Sequence, residues 1–258
     1  ETWKDWLKVT RRHKEFAAGY NKSMKNWIDL VEKHLGIYLS DLQQFQFQVL
    51  EEELLEWNKK INLTAIREVE GIRERHFFDS LTCFMGFDEW PESLIDVGSG
   101  AGFPGLPVKF VIPNLRLTLV ESVDKKANFC RHIVETLGLT DVTVLSKRAE
   151  EVGRMPEHRE AYDIAIARAV APVPTLAEYL LPLVKVGGQC LMQKGTRVPE
   201  EVLQAARVVD LCGGEISDLQ HLDFDGIEGE GILVIIDKLR PTPRELPRAV
   251  GIPAKKPI

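Results

Sequence analysis

The run Asp96-Val97-Gly98-Ser99-Gly100-Ala101-Gly102-Phe103-Pro104-Gly105 follows directly on the short stretch Ser93 to Ile95. It reads as a buried strand ending in a glycine-rich turn. Glycines at alternate positions let the backbone take positive φ and come close to a ligand, and Pro104 and Pro107 suit a helix start, where a missing amide hydrogen costs nothing. A nucleotide-like cofactor is expected on this turn.

Two patterns fit the run. Gly100, Gly102 and Gly105 satisfy G-x-G-x-x-G, the dinucleotide fingerprint, which alone says little. Asp96, Gly98, Gly100 and Gly102 also satisfy D-x-G-x-G-x-G, the pattern typical of enzymes that use S-adenosylmethionine (SAM). The second reading puts a carboxylate at the strand end, where it can approach the ammonium group of that cofactor, and it is the one favoured here.

Downstream, the pattern repeats as strand, turn and helix. Strands are expected near Ser93 to Val97, Arg116 to Glu121, Val142 to Leu145, Tyr162 to Ala167, Gln189 to Gln193 and Ile232 to Lys238. Helices are expected near Leu106 to Val111, Lys125 to Leu137, Thr175 to Leu183 and Glu200 to Leu211. Such alternation predicts a parallel sheet covered on both faces, with ligand at the carboxyl ends of the strands. Upstream, Trp3, Trp6 and Leu7, then Trp27, Leu30, Val31 and Leu35, follow helical spacing, broken near Gly19 and Gly36. Ser40 with Gln43 reads as a capping box, and Leu42, Phe45, Val49, Leu54 and Trp57 then line one face of a helix running to about Lys59. The division expected is an N-terminal helical segment over 1–90 packed on the sheet, a cofactor-binding core over 91–240 and a basic tail over 241–258.

Three features fall at the carboxyl edge. Glu121 ends the second strand about 20 residues beyond the turn, where a carboxylate can accept from both ribose hydroxyls of a nucleoside. Ala149-Glu150 follows the third strand, where a backbone amide and a carboxylate can read an adenine edge or simply form a surface loop. Arg168 ends the fourth strand after small and apolar residues, an unusual place for a core residue. An Asn/Asp-Pro-Pro-aromatic segment, which orients exocyclic amines for methylation, is absent here, since the chain reads Ala167-Arg168-Ala169-Val170. Cys190, expected buried within its strand, is badly placed as a nucleophile. An acceptor with a ready lone pair is favoured.

With 258 residues the chain makes one large domain, or one with an appendage. Its four cysteines, Cys83, Cys130, Cys190 and Cys212, are widely spaced and expected to be reduced and buried; neither a disulfide framework nor a metal site is suggested. No apolar run has the roughly 18 residues of a membrane span and no signal-peptide pattern opens the chain, so a cytoplasmic protein without membrane contact is expected. The net charge of −6 is segregated: residues 1–27 carry seven Lys/Arg against three acids, and residues 238–258 carry six against one. Basic ends on an acidic body can contact phosphates or merely aid solubility.

Several separated segments, in order, carry a resemblance. Trp57-Asn58-Lys59-Lys60-Ile61-Asn62-Leu63-Thr64-Ala65-Ile66, Arg75-His76-Phe77-Phe78-Asp79-Ser80-Leu81, the glycine-rich run, Lys125-Lys126, Arg148-Ala149-Glu150, Arg168-Ala169, Lys194-Gly195 and the tail from Pro247-Arg248 to Pro257 resemble the glucose-inhibited division protein B family. Members of that family are bacterial 16S ribosomal RNA (guanine-N7)-methyltransferases. The likeness spans about residues 40 to 258; Leu246 stands where a tyrosine usually precedes Pro-Arg, and the first 39 residues are longer than usual.

The resemblance implies an α/β, Rossmann-like class I SAM-dependent methyltransferase fold, a mostly parallel seven-stranded sheet with an N-terminal helical extension. It implies SAM contacts at Gly98, Phe103, Glu121, Ser122, Val123, Ala149, Glu150 and Arg168, which join Asp96, Gly100 and Gly102 of the turn. Guanine N7 already offers a lone pair, so no general base is required; Arg168 or Lys194 is the expected catalytic donor, to O6 or a phosphate, leaving N7 free. RNA contacts are expected from Arg75 and His76, from Lys125 and Lys126, and from Arg244, Arg248, Lys255 and Lys256 of the tail. Arg75, His76 and Asp79 equally suit an ion-pair network closing the N-terminal helices onto the sheet. The expected partner is 16S rRNA in the small ribosomal subunit or its precursor, met by a monomer. Two rival readings stay open: an NAD-dependent oxidoreductase, and a non-catalytic RNA-binding protein responsive to SAM.

Overall fold

The computed structural model describes residues 17–195, 198–227 and 229–258. The helical spacing at Trp3, Trp6 and Leu7 lies outside them. Seven strands form one sheet in the order β3-β2-β1-β4-β5-β7-β6: β1 Ser93–Val97, β2 Arg116–Val120, β3 Val142–Leu145, β4 Tyr162–Arg168, β5 Val184–Lys194, β6 Gly214–Leu222 and β7 Gly231–Lys238. The first five run parallel, while β7 lies antiparallel between β5 and β6. Chain order reverses between β1 and β4, which opens a crevice at their carboxyl ends. This is the seven-stranded class I SAM-dependent methyltransferase fold.

Every residue of β1 is buried because the strand has cover on both faces. Leu94 points into a core shared with the N-terminal helices, and Ile95 and Val97 into a second core on the opposite face. The first core receives α1 (Ala17–Leu35), α2 (Asp41–Asn58), α3 (Gly105–Val111) and α4 (Asp124–Thr136). Its centre is aromatic. Phe47 of α2 meets Trp27 edge-on at 4.9 Å and Phe110 of α3 at 5.2 Å, so the N-terminal helices share one core with the sheet. The second core lies under α5 (Val173–Leu180) and α6 (Val198–Leu211).

The capping box at Ser40 and Gln43 forms as the sequence predicts, and Gln43 also donates to the Phe110 carbonyl, tying the cap to α3. Gly19 lies inside α1, which stops before Gly36, whose φ of 65° suits a helix end. Leu42, expected on the buried face of α2, is 55% exposed because the first turn of that helix projects beyond the core. All four cysteines are buried and unpaired.

From the sequence, 1–90 is only a helical segment and one of the seven strands is left unplaced, and two regions fill in that detail. One is a run of short helical pieces, Val69–Ile72, a wider π-type turn over Arg73–Phe78, Asp79–Leu81 and a 3-10 turn over Thr82–Gly86, which crosses the carboxyl end of the sheet. It is held from below by Arg73, whose guanidinium donates to Glu51 of α2 at 2.6 Å with both side chains almost fully buried. The other is β6, an edge strand with mostly exposed polar residues. Among the described residues no helix is long and apolar enough to cross a membrane.

The tail folds back along the second core. Arg159 donates to the carbonyls of Thr242, Pro243 and Leu246, and Arg154 donates to that of Pro247.

Candidate functional site

The glycine-rich turn leaves β1 at the crevice between β1 and β4. A Cβ on Gly105 would lie 2.5 Å from Leu119, so that glycine is required for close packing. Gly100 differs: its φ is +59°, and a Cβ there would meet nothing within 4 Å. It is the point at which the turn faces open space.

Glu121, just past β2, clamps this turn. Its carboxylate accepts from the Gly100 amide at 3.0 Å and from the Val123 amide at 2.7 Å, and it is only 6% exposed. Each oxygen keeps a second lone pair for a ligand hydroxyl. Asp96 accepts from the Gly105 amide with one oxygen; the other, like Ser99 Oγ, is buried and has no hydrogen-bond partner among the described residues. Burial pushes the Asp96 carboxyl up to about 7, against the pull of the Gly105 hydrogen bond. Two unpartnered polar atoms beside an open glycine make a site built for a polar ligand.

A small cavity of about 70 Å³ continues from the turn, lined by Gly98, Val120, Ser122, Ala149, Glu150, Val170 and Tyr179. Ala149 and Glu150 are buried at its wall, while Ser122 is exposed at its lip and the next residue, Val123, is exposed too. One carboxylate oxygen of Glu150 accepts from the Gly251 amide of the tail at 2.8 Å, so the tail reaches the wall of this cavity.

A larger cavity of about 400 Å³ is bounded by Arg75, His76, Asp79, Arg168, Gln193 and Lys194 among others. Arg168 ends β4 beneath it. Its guanidinium donates to Asp79 at 2.9 Å, to the Arg75 carbonyl at 3.1 Å and to His76 Nδ1 at 3.1 Å, and lies 5.3 Å from the Phe103 ring centroid. Arginine cannot accept, so Nδ1 is the acceptor and the proton of His76 sits on Nε2, directed at Thr64 Oγ1 2.7 Å away. The imidazole stacks on Phe103 at 4.7 Å. Burial, reinforced by the Arg168 charge, holds His76 down at about 3, so it stays neutral. After Arg168 the backbone turns through Ala169 at φ 51°, a left-handed conformation uncommon outside glycine.

Sequence reasoning thus located Arg168, Phe103, Arg75, His76 and Asp79 without their arrangement: they form the ion-pair and stacking network that closes the helical pieces onto the sheet. Arg75 is exposed at the rim, His76 and Phe103 are inside it. Lys194 lines the same cavity, but its ammonium is held by Glu201 at 2.9 Å and the Ala171 carbonyl at 2.7 Å. Arg248, grouped above with the RNA-contacting cations, is a fork-to-fork partner of buried Glu178 at 2.7 and 2.9 Å, and so anchors the tail. Arg244, Lys255 and Lys256 are exposed on the tail, Lys125 is exposed on the first turn of α4, and Lys126 beside it is partly covered.

Gln193 was missed. It lies on β5 opposite Arg168 of β4, 3% exposed, and its amide nitrogen donates to Thr82 Oγ1 at 2.9 Å and to the Asp79 carbonyl. The available signal was a glutamine at an inward position of a central strand, beside apolar Leu191 and Leu233.

The sequence profile of a family described as rRNA small subunit methyltransferase G matches residues 43–225. A protein of Roseiflexus sp. (strain RS-1) named "Ribosomal RNA small subunit methyltransferase G" is 51% identical over 223 residues, 86% of this chain and 95% of that protein. One of the same name from Alkaliphilus metalliredigens is 42% identical over 227 residues, 88% of this chain and 95% of that protein. Among solved structures, an MtNAS variant superposes with a TM-score of 0.50 and 16% identity, covering 90% of this chain and 81% of that one, a likeness of fold.

Proposed function

This chain belongs to the rRNA small subunit methyltransferase G family, and on that premise we propose that it transfers the methyl group of SAM to N7 of a guanine in 16S rRNA of the small ribosomal subunit. The observation that carries the cofactor half of this reading is the pair of buried, unpartnered acceptors, Asp96 Oδ1 and Ser99 Oγ, beside the open face of Gly100. They fit an amino acid moiety with an ammonium group, and Glu121 fits a ribose. Ala149, Ser122 and Tyr179 bound the cavity suited to the base. Neither an oxidoreductase nor a non-catalytic RNA binder has support from the relatives.

When bound, SAM supplies a methyl group on a sulfonium, with a neutral leaving group. The protein's task is then to position the guanine and exclude water. Guanine N7 attacks as a free lone pair, and this agrees with a site whose imidazole is neutral and already committed to Arg168 and Thr64. Arg168 acts here as a positioning residue: it fixes the wall of the large cavity through Asp79 and the Arg75 carbonyl. Lys194, compensated by Glu201, adds a donor at the cavity edge. N7 is inaccessible in the deep major groove of an RNA duplex, so the target guanine is unpaired or drawn out of its stack. Of the cations expected to meet RNA, exposed Lys125, Arg244, Lys255 and Lys256, partly covered Lys126 and rim Arg75 remain available for the phosphates. The protein works as a monomer in the cytoplasm on this reading.

Incubation with small ribosomal subunits and methyl-labelled SAM, followed by reductive cleavage at 7-methylguanosine, tests the proposal. One labelled, cleavable guanine in 16S rRNA is expected; label elsewhere, or none, refutes it.

A further inference from the structure

The large cavity is lined in part by Gln193, whose side chain carries a buried acceptor with no partner among the described residues. Gln193 Oε1 is almost wholly buried and unbonded, although the same amide group is firmly oriented. Its nitrogen faces the Asp79 carbonyl, which can only accept, and Thr82 Oγ1 at 2.9 Å. The oxygen therefore cannot exchange places with the nitrogen. An unpaired buried acceptor on a cavity wall calls for a donor brought by the ligand.

We propose that Gln193 is a specificity-determining residue, whose Oε1 accepts a hydrogen bond from the 2-amino group of the target guanine. This rests on the assignment of guanine N7 as the methyl acceptor. The order of strands supplies the direction. The cofactor turn leaves β1, Arg168 ends β4, and Gln193 lies across from Arg168 on β5, one strand farther from the turn. A guanine in the cavity with N7 facing the turn points its opposite edge, which bears the 2-amino group, away from β1 and toward β5. Neighbouring strands are about 4.8 Å apart, comparable with the width of a purine. Adenine and hypoxanthine carry hydrogen at this position and would leave Oε1 unpaired.

The site guanine, once located, is replaced by inosine in otherwise identical 16S rRNA, and single-turnover methylation of both RNAs is followed with the wild-type protein, Gln193→Leu and Gln193→Met. Wild type is expected to methylate guanine at least about tenfold faster than inosine, as for a site left with an unpaired polar group. Both variants are expected to methylate the two RNAs at rates within about threefold of each other, with SAM affinity within about twofold of wild type. A residue that only supports the fold would slow both substrates alike and leave their ratio untouched. Equal discrimination by wild type and variants, or none by wild type, overturns the proposal while leaving guanine methylation standing. Loss of SAM binding in both variants also overturns it, by showing Gln193 to be structural. If wild type forms no 7-methylguanosine at all, the functional assignment fails, and this inference with it.

Discussion

Arg168, at the end of the fourth strand, donates to Asp79 at 2.9 Å, and through this contact the sheet holds the helical pieces that roof the larger cavity. The same guanidinium satisfies His76 Nδ1 and the Arg75 carbonyl, so one side chain sets the position of three residues from another part of the chain. Arg168→Ala leaves these acceptors without their donor. A loss of about 2–4 kcal/mol in urea unfolding is expected, from several hydrogen bonds of which one is charged. Arg168→Lys keeps the charge without the planar fork, and methyl transfer should fall by about a hundredfold while SAM affinity changes little. Asp79→Asn should be milder, about 1 kcal/mol, because that carboxylate is partly exposed. An Arg168→Ala protein as stable as wild type would show that the guanidinium does not hold the roof.

Asp96 gives a pH dependence with a definite sign. Its carboxyl, raised to about 7 by burial, is mostly protonated and neutral below that pH. An ammonium partner needs the ionised form, so the proton must leave before binding gains the charge contact. SAM affinity should therefore fall by up to about tenfold per unit as the pH drops below 7. Asp96→Asn should bind weakly at every pH and lose this slope. Titration calorimetry between pH 5.5 and 7.5 measures both; equal slopes for the two proteins would exclude Asp96 as the titrating group.

How much of this was readable beforehand depended on what each residue does locally. The turn from Asp96 to Gly105 and the parallel strands announce themselves because burial on both faces leaves short apolar runs bounded by glycine and proline. Strand Gly214–Leu222 did not, since at the sheet edge only scattered positions such as Ile216 need to be apolar. The roof over Arg73–Phe78 escaped for another reason. Its stability comes from long-range partners, Glu51 for Arg73 and Arg168 for His76, and no local periodicity reports such pairs. Arg168 was conspicuous as a charge in an apolar strand, yet its partner Asp79, 89 residues upstream, was not identifiable as such. For the same reason Arg248 looked like one more basic tail residue, while its buried partner Glu178 sits in a helix that reads as ordinary core cover.

The tail can be divided by substitution into anchor and RNA-facing cations. Arg248→Ala removes the guanidinium from buried Glu178, which then keeps only the backbone amide of residue 248, and should destabilise the protein by about 1.5–3 kcal/mol, the range for hydrogen bonds to charged groups. Replacing Arg244, Lys255 and Lys256 together by alanine should leave thermal unfolding almost unchanged. If these three meet phosphates, the slope of log affinity for RNA against log salt should become shallower by roughly 0.7 for each phosphate no longer neutralised. Filter binding across a salt series measures this. An unaltered slope would assign the exposed cations to solvent.

The clamp between Glu121 and Gly100 makes the most direct claim on the cofactor. Glu121 orders the turn by accepting the Gly100 and Val123 amides, and its remaining lone pairs are those assigned to the ribose. Glu121→Ala therefore loses both functions, and Glu121→Gln separates them: the carboxamide oxygen can still accept one amide, but the charge is gone and a donor replaces the second acceptor. With each charge-assisted hydrogen bond contributing about 1.5–3 kcal/mol, SAM affinity should fall at least about tenfold in Glu121→Gln and further in Glu121→Ala. Gly100→Val acts differently. At φ +59° a β-branched residue is strained, and its side chain would enter the open space in front of the turn. Binding should be abolished, with the rest of the fold, followed by far-ultraviolet circular dichroism, retained. Calorimetric affinities that are unchanged in Glu121→Ala and Gly100→Val would move the cofactor away from this turn altogether.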